Sequence, residues 1–121
     1  MPIVRIDITG PKSAEYKRAL LSGARRAVVS CLGAGNERVT VRVVETPADC
    51  VDAPACRTDR FTVVEVLLYQ GRDEDQKRGF AKALREEFAT APGIEECEVS
   101  VFVHDASPLD LDVLPGRASQ G

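Results

Sequence analysis

The stretch Val39-Thr-Val-Arg-Val43 decides the fold, because it recurs sixty residues later as Val99-Ser-Val-Phe-Val103. In both copies the valines alternate with other residues, a pattern typical of a β-strand with one apolar face. Gly33 and Gly93 are related by the same offset, so the chain is predicted to contain one unit twice. The other pairs at this offset are Val4 with Val64, Lys17 with Lys77, Arg18 with Arg78, and Arg25 with Arg85.

The first unit reads as strand, helix and strand. Residues 3–8 alternate between apolar and other side chains, and a Gly-Pro pair then interrupts the strand. Ser13 is a suitable N-cap for the helix that follows, and Gly33 ends that helix. A second alternating strand is predicted over residues 38–45.

The second unit repeats this order. Residues 61–69 form a strongly apolar predicted strand, and Asp73 with Gln76 resembles a capping box at the start of a helix. Pro92-Gly93 closes that helix, and residues 97–104 are the last predicted strand.

Length and turn composition predict the domain organisation. A chain of 121 residues is expected to form a single domain over 1–121, with repeat units at about 2–46 and 61–105. The connector at 46–60 carries prolines and aspartates and is predicted to be loop. Residues 106–121 are predicted to be an extended tail.

Two such units predict an α/β (α+β) fold. A strand–helix–strand segment of this length makes a parallel strand pair through a right-handed crossover. Two copies give a four-stranded sheet with both helices on one face. The other face has to be covered, and the valines of strands two and four suit burial against something outside the monomer. Oligomerisation is therefore expected.

Composition argues against several classes of protein. The net charge is −3 with acidic and basic residues interspersed, which argues against a nucleic-acid partner. No run reaches about 18 apolar residues, so no membrane span is expected. The first residues lack the basic and apolar regions of a signal peptide, and a cytoplasmic location is therefore expected.

The four cysteines and the single histidine predict no metal site. No Cys-x-x-Cys motif is present, and one histidine cannot complete a zinc-finger pattern. Free thiols are expected, with Cys31 and Cys97 packed in the core. Cys50 and Cys56 lie in the connector, where a redox pair is the alternative.

Several motifs resemble those of one enzyme superfamily. Met1-Pro-Ile-Val-Arg-Ile6 resembles the start of 4-oxalocrotonate tautomerase, and Gln70-Gly-Arg-Asp-Glu-Asp-Gln-Lys77 is similar to a turn of the same superfamily. The double-length chain resembles the malonate semialdehyde decarboxylase branch. Gly35-Asn-Glu-Arg38 and Gly116-Arg-Ala118 are the segments that carry this second resemblance.

The resemblance implies a tautomerase fold, a homotrimer and a cofactor-independent enzyme that acts on a small oxo-acid. It implies that Pro2, exposed once Met1 is removed, is the catalytic acid or base. Arg72 matches an arginine that binds the substrate carboxylate and polarises its carbonyl. Glu37 holds the place of an assisting aspartate, and Arg117 in the tail is a further candidate for binding the substrate.

The chemistry of these residues fits such a role. An N-terminal secondary amine has a pKa of roughly 8, so Pro2 can move protons near neutral pH without a histidine. The guanidinium of Arg72 can bind a carboxylate and stabilise enolate charge. The second unit has Thr62 and Cys97 where the first has Pro2 and Glu37, so only the first unit can work in this way.

These residues are compatible with more than one reaction. Keto–enol tautomerisation is the simplest reaction that these residues support, and decarboxylation or hydration of an oxo or unsaturated acid is the alternative. The decarboxylase branch has Arg-Pro-Arg where this chain has Gln70-Gly-Arg72, so one arginine is missing. Lys12 and Arg42 are further cations whose membership of the site is open. A non-catalytic binding or signalling protein is the alternative from a different class.

Overall fold

The computed structural model describes residues 2–110 and shows the β-α-β unit twice. The strands and helices are β1 (Ile3–Gly10), α1 (Ala14–Leu32), β2 (Thr40–Pro47), β3 (Thr62–Tyr69), α2 (Glu74–Thr90) and β4 (Val99–Ala106). Short 3-10 turns occur at Asn36–Arg38, Ala48–Cys50, Glu96–Glu98 and Pro108–Asp110.

The four strands form one sheet in the order β2-β1-β3-β4. Each unit contributes a parallel pair, β1 with β2 and β3 with β4, and the two units join through the antiparallel pair of β1 and β3. Both helices pack on the same face of this sheet, where a single core cluster forms. The predicted four-stranded sheet with two helices on one face is confirmed.

Strands β2 and β4 begin two residues later than the sequence predicts, at Thr40 and Val99 instead of residues 38 and 97. The physical reason is a 3-10 turn before each strand. In the first unit, the backbone N–H of Val39 donates to the carbonyl of Asn36, which keeps this segment out of the sheet. Strand β4 extends to Ala106.

The valines of β2 and β4 face the helices, which contradicts the expectation that they meet an outside partner. The register pairs Val41 with Val4 and Val43 with Ile6, and the β1 members of these pairs are fully buried under the helices. Neighbours in register share a face of the sheet. The opposite face carries other apolar side chains, among them Phe102, which is 52% exposed.

Both helices begin at side-chain caps that the sequence indicates. The Ser13 hydroxyl accepts from the backbone N–H of Tyr16, and Asp73 with Gln76 forms a complete capping box. The first helix ends at Gly33, whose φ of 66° lies in the left-handed region that glycine adopts without strain. These caps fix where each helix starts against the sheet.

The two units repeat one another in their side-chain contacts as well. Lys17 of α1 forms an ion pair with Glu45 of β2, and the equivalent Lys77 of α2 pairs with Asp105 of β4. These pairs hold each helix to the outer strand of its own unit. One arginine of each helix also binds the start of its outer strand. The Arg25 guanidinium donates to the carbonyl of Val39, just before β2, and that of Arg85 donates to the carbonyl of Val99, the first residue of β4.

The core is built from aliphatic residues together with Tyr16, Phe80 and Phe88. The cysteines are free. Cys31 packs against the core as predicted, whereas Cys97 is exposed because it lies in the 3-10 turn before β4. Within residues 2–110, no helix is long and apolar enough to cross a membrane. The largest fully buried side chains include Ile6, Leu20, Leu68, Phe80, Leu84 and Phe88.

Candidate active site

Pro2 lies directly before β1, with β2 on one side and β3 on the other. Its carbonyl oxygen accepts a hydrogen bond of 3.1 Å from the backbone N–H of Thr40. On the other side, the register pairs Ile3 with Leu67, so the end of β3 lies beside Pro2. Pro2 is buried. The two neighbouring strands therefore fix its position.

A pocket of about 400 Å³ opens where the 3-10 turn leads into β2 and where β3 ends. It is lined by the turn after α1, the 3-10 turn before β2 and the end of β3 with its following turn. The predicted site residues Glu37 and Arg72 both line this pocket, whereas Pro2 is not among its lining residues. The lining residues are Gly33, Ala34, Gly35, Glu37, Arg38, Tyr69 and Arg72.

Arg72 is anchored to the end of α1. Its Nε and Nη2 donate to the carbonyl of Leu32 at 3.2 and 3.1 Å, and its Nη1 donates to the carbonyl of Tyr69 at 3.4 Å. A cation at the C-terminal end of a helix is favoured by the helix dipole. A guanidinium has five N–H donors. Three are used by these contacts, so two remain that can bind a ligand.

Glu37 lies in the 3-10 turn and is exposed. Its carboxylate folds back over Gly35, because a Cβ added to that glycine would lie only 2.6 Å from Glu37 Oε1. The absence of a side chain at Gly35 therefore allows the carboxylate to lie in this place. A carboxylate and the Arg72 guanidinium thus line one pocket.

Two lining residues, Arg38 and Tyr69, were not predicted as site residues. Arg38 is the last residue of the 3-10 turn, and Tyr69 is the last residue of β3. The signal for Tyr69 was the antiparallel pairing of the two units, which brings the end of the third strand to the start of the first. The signal for Arg38 was its position beside Glu37 in a short turn, where both side chains can reach the same space.

Lys12 and Arg42 do not line this pocket. Lys12 is the repeat counterpart of Arg72, and its Nζ donates to the carbonyls of Thr9 and Asp59 at 2.7 and 3.0 Å. A carboxylate oxygen of Asp59 lies 3.8 Å from the same nitrogen. Arg42 is exposed on the sheet face opposite the helices, beside Arg5. Within one chain, neither cation joins Glu37 and Arg72.

The second unit lacks the features of the first. Thr62, the counterpart of Pro2, is fully buried, and its hydroxyl donates to the carbonyl of Arg60. Tyr16 lies nearby with Lys12 and Arg60 each within 6 Å of its ring centroid, at 5.7 and 5.6 Å. Burial raises the pKa of Tyr16. This end of the sheet is packed by the chain itself.

The predicted residue Arg117 and the tail segment 111–121 lie outside the described residues. Among residues 2–110, no group of three or more His, Cys, Asp or Glu side chains is placed to hold a metal ion.

Two family models match the chain in tandem. Each is described as a tautomerase enzyme, one matching residues 2–51 and the other residues 51–110. A search among curated proteins finds no match.

Solved structures show the same fold over nearly the whole chain. The structure of Pt0534 inactivated by 2-oxo-3-pentynoate is 30% identical in sequence, with a TM-score of 0.85. The match covers 94% of this chain and 93% of that one. The FG41 malonate semialdehyde decarboxylase inhibited by 3-bromopropiolate is 21% identical, with a TM-score of 0.83 and coverage of 95% and 91%. A symmetric trimer of wild-type fused 4-OT is 24% identical, with a TM-score of 0.82 and coverage of 96% and 94%.

Fold and pocket together define a protein of two fused β-α-β units with a polar pocket beside the first strand. The chain belongs to the tautomerase superfamily, as a double-length member.

Proposed function

We propose that this protein is a cofactor-independent enzyme that catalyses keto–enol tautomerisation of a small oxo-carboxylic acid. The observation that carries the proposal is the pocket beside the start of β1, which is lined by Arg72 and Glu37. Removal of Met1 would give a secondary amine on Pro2, which lies between the start of β2 and the end of β3, next to the elements that line this pocket. The site would then combine a base, a carboxylate-binding cation and a carboxylate.

Arg72 is proposed to bind the substrate carboxylate. Its two remaining N–H donors can form charge-assisted hydrogen bonds, while its bonds to Leu32 and Tyr69 hold the guanidinium in place. A donor that is already positioned costs little reorganisation when charge develops on an enolate oxygen.

Pro2 is proposed to transfer the proton. The neutral amine takes the proton from the enol hydroxyl, and the resulting ammonium delivers a proton to the neighbouring carbon. The carbonyl forms as the carbon–carbon double bond becomes single, so no oxidant or reductant is needed. Buried on both sides by β2 and β3, Pro2 has few orientations, which favours a defined proton path.

A relative supports the oxo-acid as the substrate class. Pt0534, which is 30% identical, is inactivated by 2-oxo-3-pentynoate, an acid with a carbonyl next to its carboxylate. Arg72 and Arg38 give this chain's pocket the cations that such an acid requires.

Decarboxylation or hydration of an oxo or unsaturated acid is the second candidate. It is favoured by Glu37, whose exposed carboxylate in the pocket can orient a water molecule. The two reactions require Pro2 in different protonation states. A ¹⁵N NMR titration that places the pKa of Pro2 well below neutrality would disfavour the second candidate.

A homotrimer is proposed as the assembly. The sheet face opposite the helices carries the half-exposed Phe102, and both outer strands have free edges within residues 2–110. The fused 4-OT neighbours, which share the fold, include trimers. Light scattering after size-exclusion chromatography tests this, and a monomer would contradict it.

The experiment that tests the function compares wild type and Pro2→Ala in assays with enol-pyruvates and 3-oxo acids. We expect ketonisation by wild type and a loss of kcat/KM of about 100-fold or more in the variant. Equal activity in both would remove Pro2 from the mechanism. No activity in wild type would favour the non-catalytic alternative, a binding or signalling protein of this superfamily.

A further inference from the structure

The connector before β3 fills a space in the second unit that corresponds to the active-site pocket of the first. The backbone N–H of Thr58 donates to both carboxylate oxygens of Glu98, at 3.1 and 3.2 Å. The carbonyl of Asp59 accepts from Lys12 Nζ. Arg60 Nη1 donates to the carbonyl of Gly93. The segment 58–60 is therefore held by contacts on three sides.

These three contacts have counterparts in the first unit at the sixty-residue offset. Gly93, Glu98 and Lys12 correspond to Gly33, Arg38 and Arg72, and all three counterparts line the candidate pocket. The equivalence is geometric and not only sequential. The last residue of each 3-10 turn donates its backbone N–H over the same 2.9 Å, Arg38 to Gly35 and Glu98 to Glu95.

The space that the connector segment fills in the second unit thus corresponds to the candidate pocket of the first. In the second unit, Lys12 meets a carbonyl oxygen and Glu98 meets an N–H group. In the first unit, both corresponding positions are cationic, Arg72 and Arg38. A ligand in this pocket must therefore present an acceptor, such as a carbonyl or carboxylate, at each of the two positions.

Arg38 is available for this role. It is exposed, and its guanidinium has no hydrogen bond or ion pair with any residue in the described range 2–110. Glu98, by contrast, is only 4% exposed because the connector covers it. The connector therefore occupies this position in the second unit, whereas the equivalent position in the first unit is open.

We propose that Arg38 is a second substrate-binding cation and sets a preference for oxo-acids that carry another anionic group. This rests on the proposed function, since it assigns the second end of the same substrate. The distance from the Thr58 nitrogen to the Asp59 oxygen spans two residues, at most about 7 Å. It corresponds to a dicarboxylate of roughly four to six carbons.

Kinetics with two substrates test the proposal. For the dicarboxylate enol-oxaloacetate, Arg38→Ala is expected to raise KM by about tenfold or more, the loss of one charge-assisted hydrogen bond. For the monocarboxylate enol-phenylpyruvate, KM should change by less than about twofold. Arg38→Lys should restore part of the preference. Arg18→Ala, at an exposed arginine of α1, is the matched control. Equal changes for both substrates would overturn the assignment.

Binding separates this proposal from the proposed function. Glutarate and pentanoate have the same number of carbons and differ in one carboxylate, and calorimetry can measure each with wild type and Arg38→Ala. Tighter binding of glutarate that disappears in the variant supports Arg38 even if wild type shows no turnover. Equal binding of both acids by wild type would overturn the role of Arg38, while turnover that depends on Pro2 would leave the proposed function intact.

Discussion

Arg5 and Glu65 lie directly opposite each other across β1 and β3, although they occupy the same position in the two units. The other pairs of this ladder are arranged symmetrically about them, so a pseudo-twofold axis passes between the two residues. Pro2 and its counterpart Thr62 therefore lie at opposite ends of the sheet. Each unit has its own version of the pocket. Variants at the second version can therefore serve as controls for variants at the first.

Arg72→Ala is expected to lower kcat/KM by about 100-fold, because the variant loses the donor for the substrate carboxylate. It should also lower the free energy of unfolding by about 1 kcal/mol, because Leu32 and Tyr69 lose hydrogen bonds at a helix end. Steady-state kinetics and urea denaturation measure the two effects.

Lys12→Ala is the matched control for Arg72→Ala. Lys12 holds Thr9 and Asp59 in the second unit, so its loss is expected to cost a similar stability of about 1 kcal/mol. Activity should stay within about twofold of wild type. If both variants lost activity equally, the loss in Arg72→Ala would come from the fold and not from the pocket.

Gly35→Ala tests the position of Glu37. The new Cβ would lie 2.6 Å from Glu37 Oε1 and would displace the carboxylate, while the backbone φ of −65° suits alanine. Since the displaced atoms end a flexible side chain, we expect stability within about 0.5 kcal/mol of wild type and lower kcat. Gly79→Ala, where nothing lies within 4 Å, is the control. Unchanged kcat in Gly35→Ala would argue against a catalytic role for Glu37.

Tyr16→Phe is expected to keep or raise stability. The Tyr16 hydroxyl is buried without a hydrogen-bond partner among the described residues, so its removal leaves no group unsatisfied. Burial raises the pKa of Tyr16, which means that the unfolded chain loses this proton first as pH rises above 10. Wild type should lose stability in that range more steeply than the variant. Equal slopes in denaturation between pH 9 and 11, an interval set about the ordinary tyrosine value, would contradict this.

Glu45→Gln should make the free energy of unfolding less dependent on pH in the acid range. The backbone N–H of Lys12 and the ammonium of Lys17 hold the pKa of Glu45 below its ordinary value of 4.5. A lowered pKa in the folded state gives stability that is present above the ordinary value and is lost as pH falls through the folded value. Denaturation at about pH 3 and about pH 6, on either side of the ordinary value of 4.5, measures it. Glu86→Gln, at an exposed position, should follow wild type.

The fold followed from the sequence because its signals are local. The capping box at Asp73 and the positive φ of Gly33 are properties of a few adjacent residues, and the constant offset relates the two units. The starts of β2 and β4 were missed because 3-10 turns are short and carry no periodicity. The facing of the valines was missed because it depends on the register of Val41 with Val4, which the sequence alone does not determine.

The candidate site was predicted only in part, because only some of its residues stand in local motifs. Arg72 and Glu37 stand in motifs and could be named from the sequence, and the structure brings them to one pocket. Arg38 was missed although it adjoins Glu37 in a short turn. Tyr69 became visible only when the antiparallel pairing of β1 and β3 placed the end of β3 beside the start of β1. A contact between distant segments leaves no pattern in either segment.

Chemical labelling of Pro2 tests the central claim most directly. The exposed cysteines of the protein are first blocked by alkylation. The protein is then treated with 2-oxo-3-pentynoate, which inactivates the relative Pt0534. Peptide mass spectrometry locates the adduct. We predict an N-terminal peptide that lacks Met1 and carries one label on the Pro2 nitrogen, with loss of activity in proportion to labelling. A peptide that retains Met1, or activity lost while Pro2 stays unlabelled, would contradict the claim.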